Sequence, residues 1–169
     1  MAAYQGGDVA AFKELVSRHE RPLWCFLRRF VGDGTLAEDL LQDTFLRVVR
    51  SSPDWKGEAK FTTWLYTIAH NRLIDHWRHK ELAVAPYDED EAPAGAGSDP
   101  ARQAQGREQL RHLEAAIAAL PHAQREAFLL HEEAGLTAGE IAAATGSDPE
   151  AVKSRLRYAY AKLKSAIDG

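Results

Sequence analysis

The segment from Trp55 to Lys80 carries side chains suited to handling unpaired nucleic-acid bases. Trp55, Phe61, Trp64, Tyr66 and Trp77 place five large aromatic rings within 23 residues, interleaved with Lys60, Asn71, Arg72, His76, Arg78 and Lys80. Aromatic faces stack on any base, while neighbouring cations hold the sugar-phosphate chain. Asn71 adds an amide able to read a base edge. Core packing is the competing assignment for Trp64, and plain solvation for Asn71. Trp55 stands in a polar stretch, where a core role fits less well.

A second set lies between Leu136 and Lys164, which reads as two helices around a sharp turn. Gly146 sits where the chain must reverse and tolerates the positive φ that such turns require. Pro149 fits the first turn of the following helix, with Ser147 or Asp148 as its N-cap. Ile141, Ala142, Val152 and Leu156 are small or branched apolar residues at the spacing that packs the two helices together. Lys153, Ser154, Arg155, Arg157 and Tyr158 then fall on surfaces not needed for packing, a set suited to base edges and phosphates in a duplex groove.

Catalytic chemistry is poorly supported. The sequence contains no glycine-rich phosphate loop, no strand leading into a nucleophile, and no carboxylate pair beside an apolar pocket. His70, His76 and His79 share one helix, but no third ligand has suitable spacing, so neither a metal nor any other cofactor is expected. The acids Asp88 to Glu91 lack the glycine and alternating oxygen ligands of a calcium loop. The single cysteine, Cys25, lies among Trp24, Phe26 and Leu27 and reads as a buried structural thiol in a reducing cytoplasm.

The elements that position these side chains follow from composition and periodicity. The chain of 169 residues is 45% apolar and 27% charged, ordinary for a globular protein. No apolar run approaches the roughly 18 residues of a membrane span, and no signal peptide is visible, so membrane insertion is not expected. The net charge of −4 hides an uneven distribution. Lys60 to Lys80 carries four basic residues against one acid, and Pro149 onward carries five against two. Between them, Glu81 to Gly106 sets Arg102 against six acids.

This acidic stretch, rich in Ala, Pro and Gly, lacks the apolar bulk to offset its ordering entropy and reads as a flexible linker. The expected architecture is therefore all-α: a helical domain at 1–81, a flexible acidic linker at 82–106, and a second helical domain at 107–169 ending in the helix-turn-helix. In the first domain a helix spans Ala10 to Val31, with Pro22 kinking or dividing it. Thr35 is the expected cap of the next helix, boxed by Glu38. That helix turns Leu40, Leu41, Phe45, Val48 and Val49 inward and Glu38, Asp39, Gln42, Asp43 and Arg47 outward. The third helix runs from Phe61 to about Lys80, with Thr62 or Thr63 compatible with capping. The second domain opens with helices over Arg107–Ala119 and from Pro121 to His131.

Three segments in this order, AEDLLQDTFLRVVR (37–50), GEAKFTTWLYTIAHNRLIDHWR (57–78) and LPHAQREAFLLHEEAGLTAGEIAAATGSDPEAVKSRLRYAYAKLK (120–164), resemble the extracytoplasmic-function (ECF) sigma factors of bacterial RNA polymerase. The resemblance covers nearly the whole chain outside the linker. It implies a cytoplasmic, non-enzymatic factor that binds core polymerase through the β′ clamp helices and the β subunit, recognises −35 and −10 promoter DNA, and promotes melting. It also implies an anti-sigma factor as inhibitory partner. Glu38, Asp39, Gln42, Asp43 and Arg47 match the polymerase-docking segment. Trp55, Lys60, Phe61, Trp64, Asn71, Arg72, Asp75, His76 and Arg78 match the −10 melting segment. Lys153, Ser154, Arg155, Arg157, Tyr158 and Lys162 match the −35 reader.

Two departures accompany the match. Many relatives carry a basic or small residue where this chain has Tyr158 and Tyr160, and tyrosine lacks the bidentate fork of arginine. Trp77 replaces an aliphatic residue and is expected to pack. A stand-alone DNA-binding regulator would also explain the helix-turn-helix, but not the aromatic helix or the acidic face before it. An interaction adaptor would explain the helices alone.

Overall fold

Four of the helices begin at a short polar side chain, Asp8, Asp33, Thr137 or Asp148, that satisfies exposed backbone N–H groups. The computed structural model describes residues 1–82 and 110–168, and among these it contains helices and turns but no strand. A four-residue helix α1 (Ala2–Gln5) leads into α2 (Val9–Val31), whose N-cap Asp8 accepts from the Ala10 and Ala11 amides. Pro22 lies inside a continuous α2 and does not divide it. Beyond the proline, Leu23, Phe26, Leu27 and Phe30 are buried. Their burial, at roughly 1.5–3 kcal/mol per side chain, outweighs an internal proline's cost of about 3 kcal/mol.

Helix α3 (Gly34–Ser51) is capped by Asp33, which accepts from the Thr35 and Leu36 amides, and not by Thr35. Asp33 holds the extended backbone of an N-cap, and Gly32 before it takes the left-handed conformation that closes α2. Helix α4 (Phe61–Leu82) starts without a threonine cap, because Thr63 is already buried inside it. Leu65, Tyr66, Ala69 and Leu73 are buried along α4, against α3 on one side and the C-terminal helices on the other. This two-sided burial accounts for apolar residues that do not form a single stripe.

In the second half, a helix α5 over 110–118 precedes α6 (His122–Glu132), α7 (Ala138–Thr145) and α8 (Pro149–Asp168). Thr137 and Glu140 form a capping box at the start of α7, and Gly146 ends it at φ 65°. Asp148, not Ser147, caps α8 by accepting from Glu150 and Ala151. Ile141, Ala142 and Val152 are buried in the turn's seam, with Leu156 packed beside them.

The two halves touch: α4 lies against α7 and α2 against α6, so the buried apolar residues form one continuous cluster. Cys25 is half-buried, less enclosed than its neighbours suggested. The acidic linker expected at 82–106 falls, apart from Leu82, outside the described residues. No described helix is long and apolar enough to cross a membrane.

Candidate nucleic-acid interface

The loop between α3 and α4 builds a recess from local rules. Ser52–Asp54 forms a 3-10 turn, with Pro53 at its start, that delivers Trp55. Gly57 has φ +72°, strained for any residue with a side chain, and an added Cβ would stand 3.4 Å from the Trp55 ring. Glycine therefore allows the loop to fold back against the indole. Trp55 and Trp64, with ring centroids 6.4 Å apart, line a recess of about 220 Å³ together with residues 54 and 56–59. That volume is below the ~300 Å³ floor of drug-sized sites and suits one heterocyclic ring.

Helical periodicity extends this site. Lys60, Trp64, Asn71 and Arg78 are spaced by four and seven residues and so share one stripe of α4, opposite the buried Leu65, Tyr66, Ala69 and Leu73. Asn71 and Arg78 are exposed. Phe61 lies tilted against Trp64 with ring centroids 6.0 Å apart and also contacts His19. The five aromatics do not form one platform. Tyr66 is buried edge-on to Phe26, and that burial pushes its hydroxyl pKa up. Trp77 packs edge-on to His122 of α6, in agreement with its expected packing role.

Arg72 and Asp75 form a bridge between α3 and α4 instead of projecting freely. Arg72 binds the Asp43 carboxylate at 2.5 Å and Asp75 at 3.4 Å, and Arg47 reaches Asp75 at 3.4 Å. His76 is half-buried beside Trp77. Asp43 and Arg47 thus belong to the edge of α3 facing α4. Glu38, Asp39 and Gln42 remain exposed on the outer face, joined by Leu46, which is 53% exposed. The sequence reading gave Leu46 to neither face, although its place four residues after Gln42 sets it on this one.

On α8, Ser154, Arg157 and Tyr158 lie opposite the packed Val152, Leu156, Ala159 and Leu163. The Arg157 guanidinium lies 5.2 Å from the Tyr158 ring centroid. Lys153 is tied to Glu150 at 2.6 Å, and Arg155 donates to the Ser147 hydroxyl at 2.9 Å, bracing the turn. Lys162 is exposed two turns further on. Tyr160 faces elsewhere: it packs on Phe128, and its hydroxyl donates to Glu132. Burial and that carboxylate push its pKa up to about 12.

Contacts between the halves engage residues that sequence reasoning had not paired. His70 Nδ1 lies 2.5 Å from Glu126, with both side chains nearly buried. Arg29 binds Glu133. His122 sits edge-on to Phe30 at 4.8 Å, and burial pulls its pKa down. Lys60 Nζ binds Glu140 Oε1 at 2.8 Å, while Glu140 Oε2 accepts from the Thr137 amide and hydroxyl. The Lys60 bond first, then the Thr137 amide and hydroxyl, hold the Glu140 carboxyl down at about 2. The T-x-x-E box marks Glu140 in the sequence, but only for its own helix. Among the described residues, no three His, Cys, Asp or Glu side chains converge as a metal site.

Comparison with known proteins adds to this geometry. Residues 15–82 match the family model for Sigma-70 region 2, and residues 110–163 match Sigma-70, region 4. The chain is 37% identical over 172 residues to the RNA polymerase sigma factor CarQ of Myxococcus xanthus, covering 99% of this chain and 95% of CarQ. It is 32% identical to the ECF RNA polymerase sigma factor SigF of Caulobacter vibrioides, covering 93% and 86%. In fold it is similar to the sigma factor RpoE solved with the anti-sigma factor NepR from Bartonella quintana, with a TM-score of 0.78 at 24% identity over 95% and 98% of the two chains.

Proposed function

The chain belongs to the ECF sigma factors of RNA polymerase, and from that premise we propose that it reads a promoter at two points and opens it by trapping one base. The observation that carries this reading is the Trp55–Trp64 recess at the end of the Lys60, Trp64, Asn71 and Arg78 stripe. A base extruded from the −10 element stacks in the recess, and the cations hold its strand. Unstacking costs a few kcal/mol, and base–aromatic stacking of about 1–3 kcal/mol offsets much of it. No nucleotide hydrolysis is needed, and the factor itself catalyses nothing.

The α8 face takes the −35 duplex. Ser154 and Tyr158 face base edges, and Arg157, Lys153 and Lys162 face phosphates; Arg155 braces the turn. The outer face of α3, Glu38, Asp39, Gln42 and Leu46, docks on the β′ clamp helices of core polymerase, and the complex works in the cytoplasm. The acidic segment 82–106 tethers the two readers, so that binding of one raises the effective concentration of the other. An anti-sigma factor is the expected inhibitory partner, as RpoE of similar fold was solved with NepR.

The pairing of Lys60 with Glu140 gives this reading a physical condition: a phosphate must displace a carboxylate before the −10 strand can seat. Arg72 and Asp75 act by holding α4 on α3, at one remove from DNA.

The test is Asn71→Ala with core polymerase on a linear promoter. Permanganate reactivity of the −10 thymines should fall while pull-down of core stays unchanged. Equal loss of both would make Asn71 structural and sink the base-trapping role. Run-off transcription with core separates this from a stand-alone regulator, which cannot support initiation.

A further inference from the structure

We propose that Gln5 is a positioning residue for the base-capturing loop, its side-chain amide fixing both ends of the turn that presents Trp55. The inference rests on the reading of the Trp55–Trp64 recess above. Gln5 Nε2 donates to the Ser52 carbonyl at 2.7 Å and to the Trp55 carbonyl at 2.9 Å. A side-chain amide nitrogen has two hydrogens, and both are used. Those carbonyls bracket the 3-10 turn, which ends on a Trp55 N–H bond to the Ser52 carbonyl at 3.2 Å. Pro53 inside the turn has no N–H to contribute.

The bracket that holds Gln5 is itself anchored. The Tyr4 ring lies 4.7 Å from Phe12 of α2, and Met1 packs against the core. The Asp8 amide donates to the Ala3 carbonyl at 3.0 Å, and the Asp8 side chain caps α2. Helix α1 therefore transmits the position of α2 to a loop about fifty residues away. Ser52 is buried and sits still on its own account, with its hydroxyl on the Val49 carbonyl at 2.8 Å. Trp55 is different: residues 56–60 beyond it are exposed, and its ring leans on Gly57. The Gln5 bond sets where the indole stands relative to Trp64, and hence the shape of the recess.

Three substitutions separate donor chemistry from bulk. Gln5→Met keeps length and removes both donors. Gln5→Glu turns a carboxylate on two carbonyls. Gln5→Lys restores donors on a chain of similar reach. With core polymerase and fork-junction DNA carrying 2-aminopurine at the trapped position, the fluorescence change on base capture should rank wild type and Gln5→Lys first, then Gln5→Met, then Gln5→Glu. Two lost bonds correspond to a loss of about tenfold. Core pull-down should stay level, and the melting temperature should fall by no more than the few degrees that two hydrogen bonds are worth.

A misplaced recess also discriminates less among bases. The ratio of capture across the four bases at that position should therefore flatten in Gln5→Met and Gln5→Glu, whereas a mere stability defect would scale all four equally. Trp55→Ala is the companion variant. If it leaves discrimination intact, the recess reading itself fails. If it flattens discrimination while Gln5→Met and Gln5→Glu do not, or if Gln5→Lys fails to restore it, the positioning role is overturned.

Discussion

Replacing Glu140 with Gln separates two jobs done by one carboxylate. Oε2 closes the α7 capping box on Thr137, and Oε1 holds Lys60 at 2.8 Å. Glutamine serves a capping box as well as glutamate does, so Glu140→Gln keeps α7 capped while removing the charge that faces Lys60. The Lys60 side chain is 72% exposed, which places the pair with surface ion pairs, worth about 0.5–1 kcal/mol after screening. Freed of its carboxylate, Lys60 should raise the affinity of the polymerase-free protein for −10 single-stranded DNA about 2–5-fold. Fluorescence anisotropy at low salt measures it, and the gain should shrink as added salt shortens the screening length.

Glu140→Ala should show the same gain plus a lower denaturation midpoint, since losing the box costs about 1 kcal/mol. Acid gives a second handle with a definite sign. The folded carboxyl sits at about 2 against an ordinary 4.5, so the pair's contribution is complete above pH 4.5 and is lost as pH falls toward 2. The discriminating experiment is a double-mutant cycle with Lys60→Gln. If Glu140→Gln still tightens DNA binding when Lys60 is absent, or does nothing when it is present, the carboxylate does not compete with DNA and the reasoning fails.

Two further expectations concern other faces. Glu126→Ala removes a nearly buried hydrogen bond that the carboxylate accepts from His70 Nδ1 at 2.5 Å, worth about 1.5–3 kcal/mol; the two halves should separate more often, read as a larger radius in small-angle scattering, and an unchanged radius would show that the remaining contacts hold them without it. Leu46→Lys, at a site 53% exposed, should leave the melting temperature within about 2 °C of wild type while weakening core pull-down. Asp43→Arg is a poorer probe of the same docking, because it also breaks the 2.5 Å bond to Arg72 and should lower stability.

What was legible in the sequence was mostly local. The Gly146 turn, the Asp148 cap considered beside Ser147, and the packing of Ile141, Ala142 and Val152 depend on residues within a few positions of one another, and each is found in the structure. The Thr35 cap was misplaced because Asp33 and Thr35 are both good caps, and the choice rests on which residue takes the extended backbone. The family was legible for a related reason: its motifs are contiguous segments with fixed spacing. The five aromatics between Trp55 and Trp77 looked like one set, yet they divide three ways. Trp55, Phe61 and Trp64 gather around the recess, Tyr66 enters the core, and Trp77 meets α6.

Periodicity sorts side chains by face, roughly 100° per residue, but does not say which faces another element will cover. The sequence by itself thus determined the long helices, most of their ends and the family, whereas the short helix α1 emerged only in the structure. Tertiary structure alone decided that Glu140 holds Lys60, that Glu126 holds His70, and that Gln5 holds the Trp55 turn. Those partners lie about 50 to 80 residues apart. At such separations no backbone rule couples two side chains, and only the packing of whole helices brings them within bonding distance.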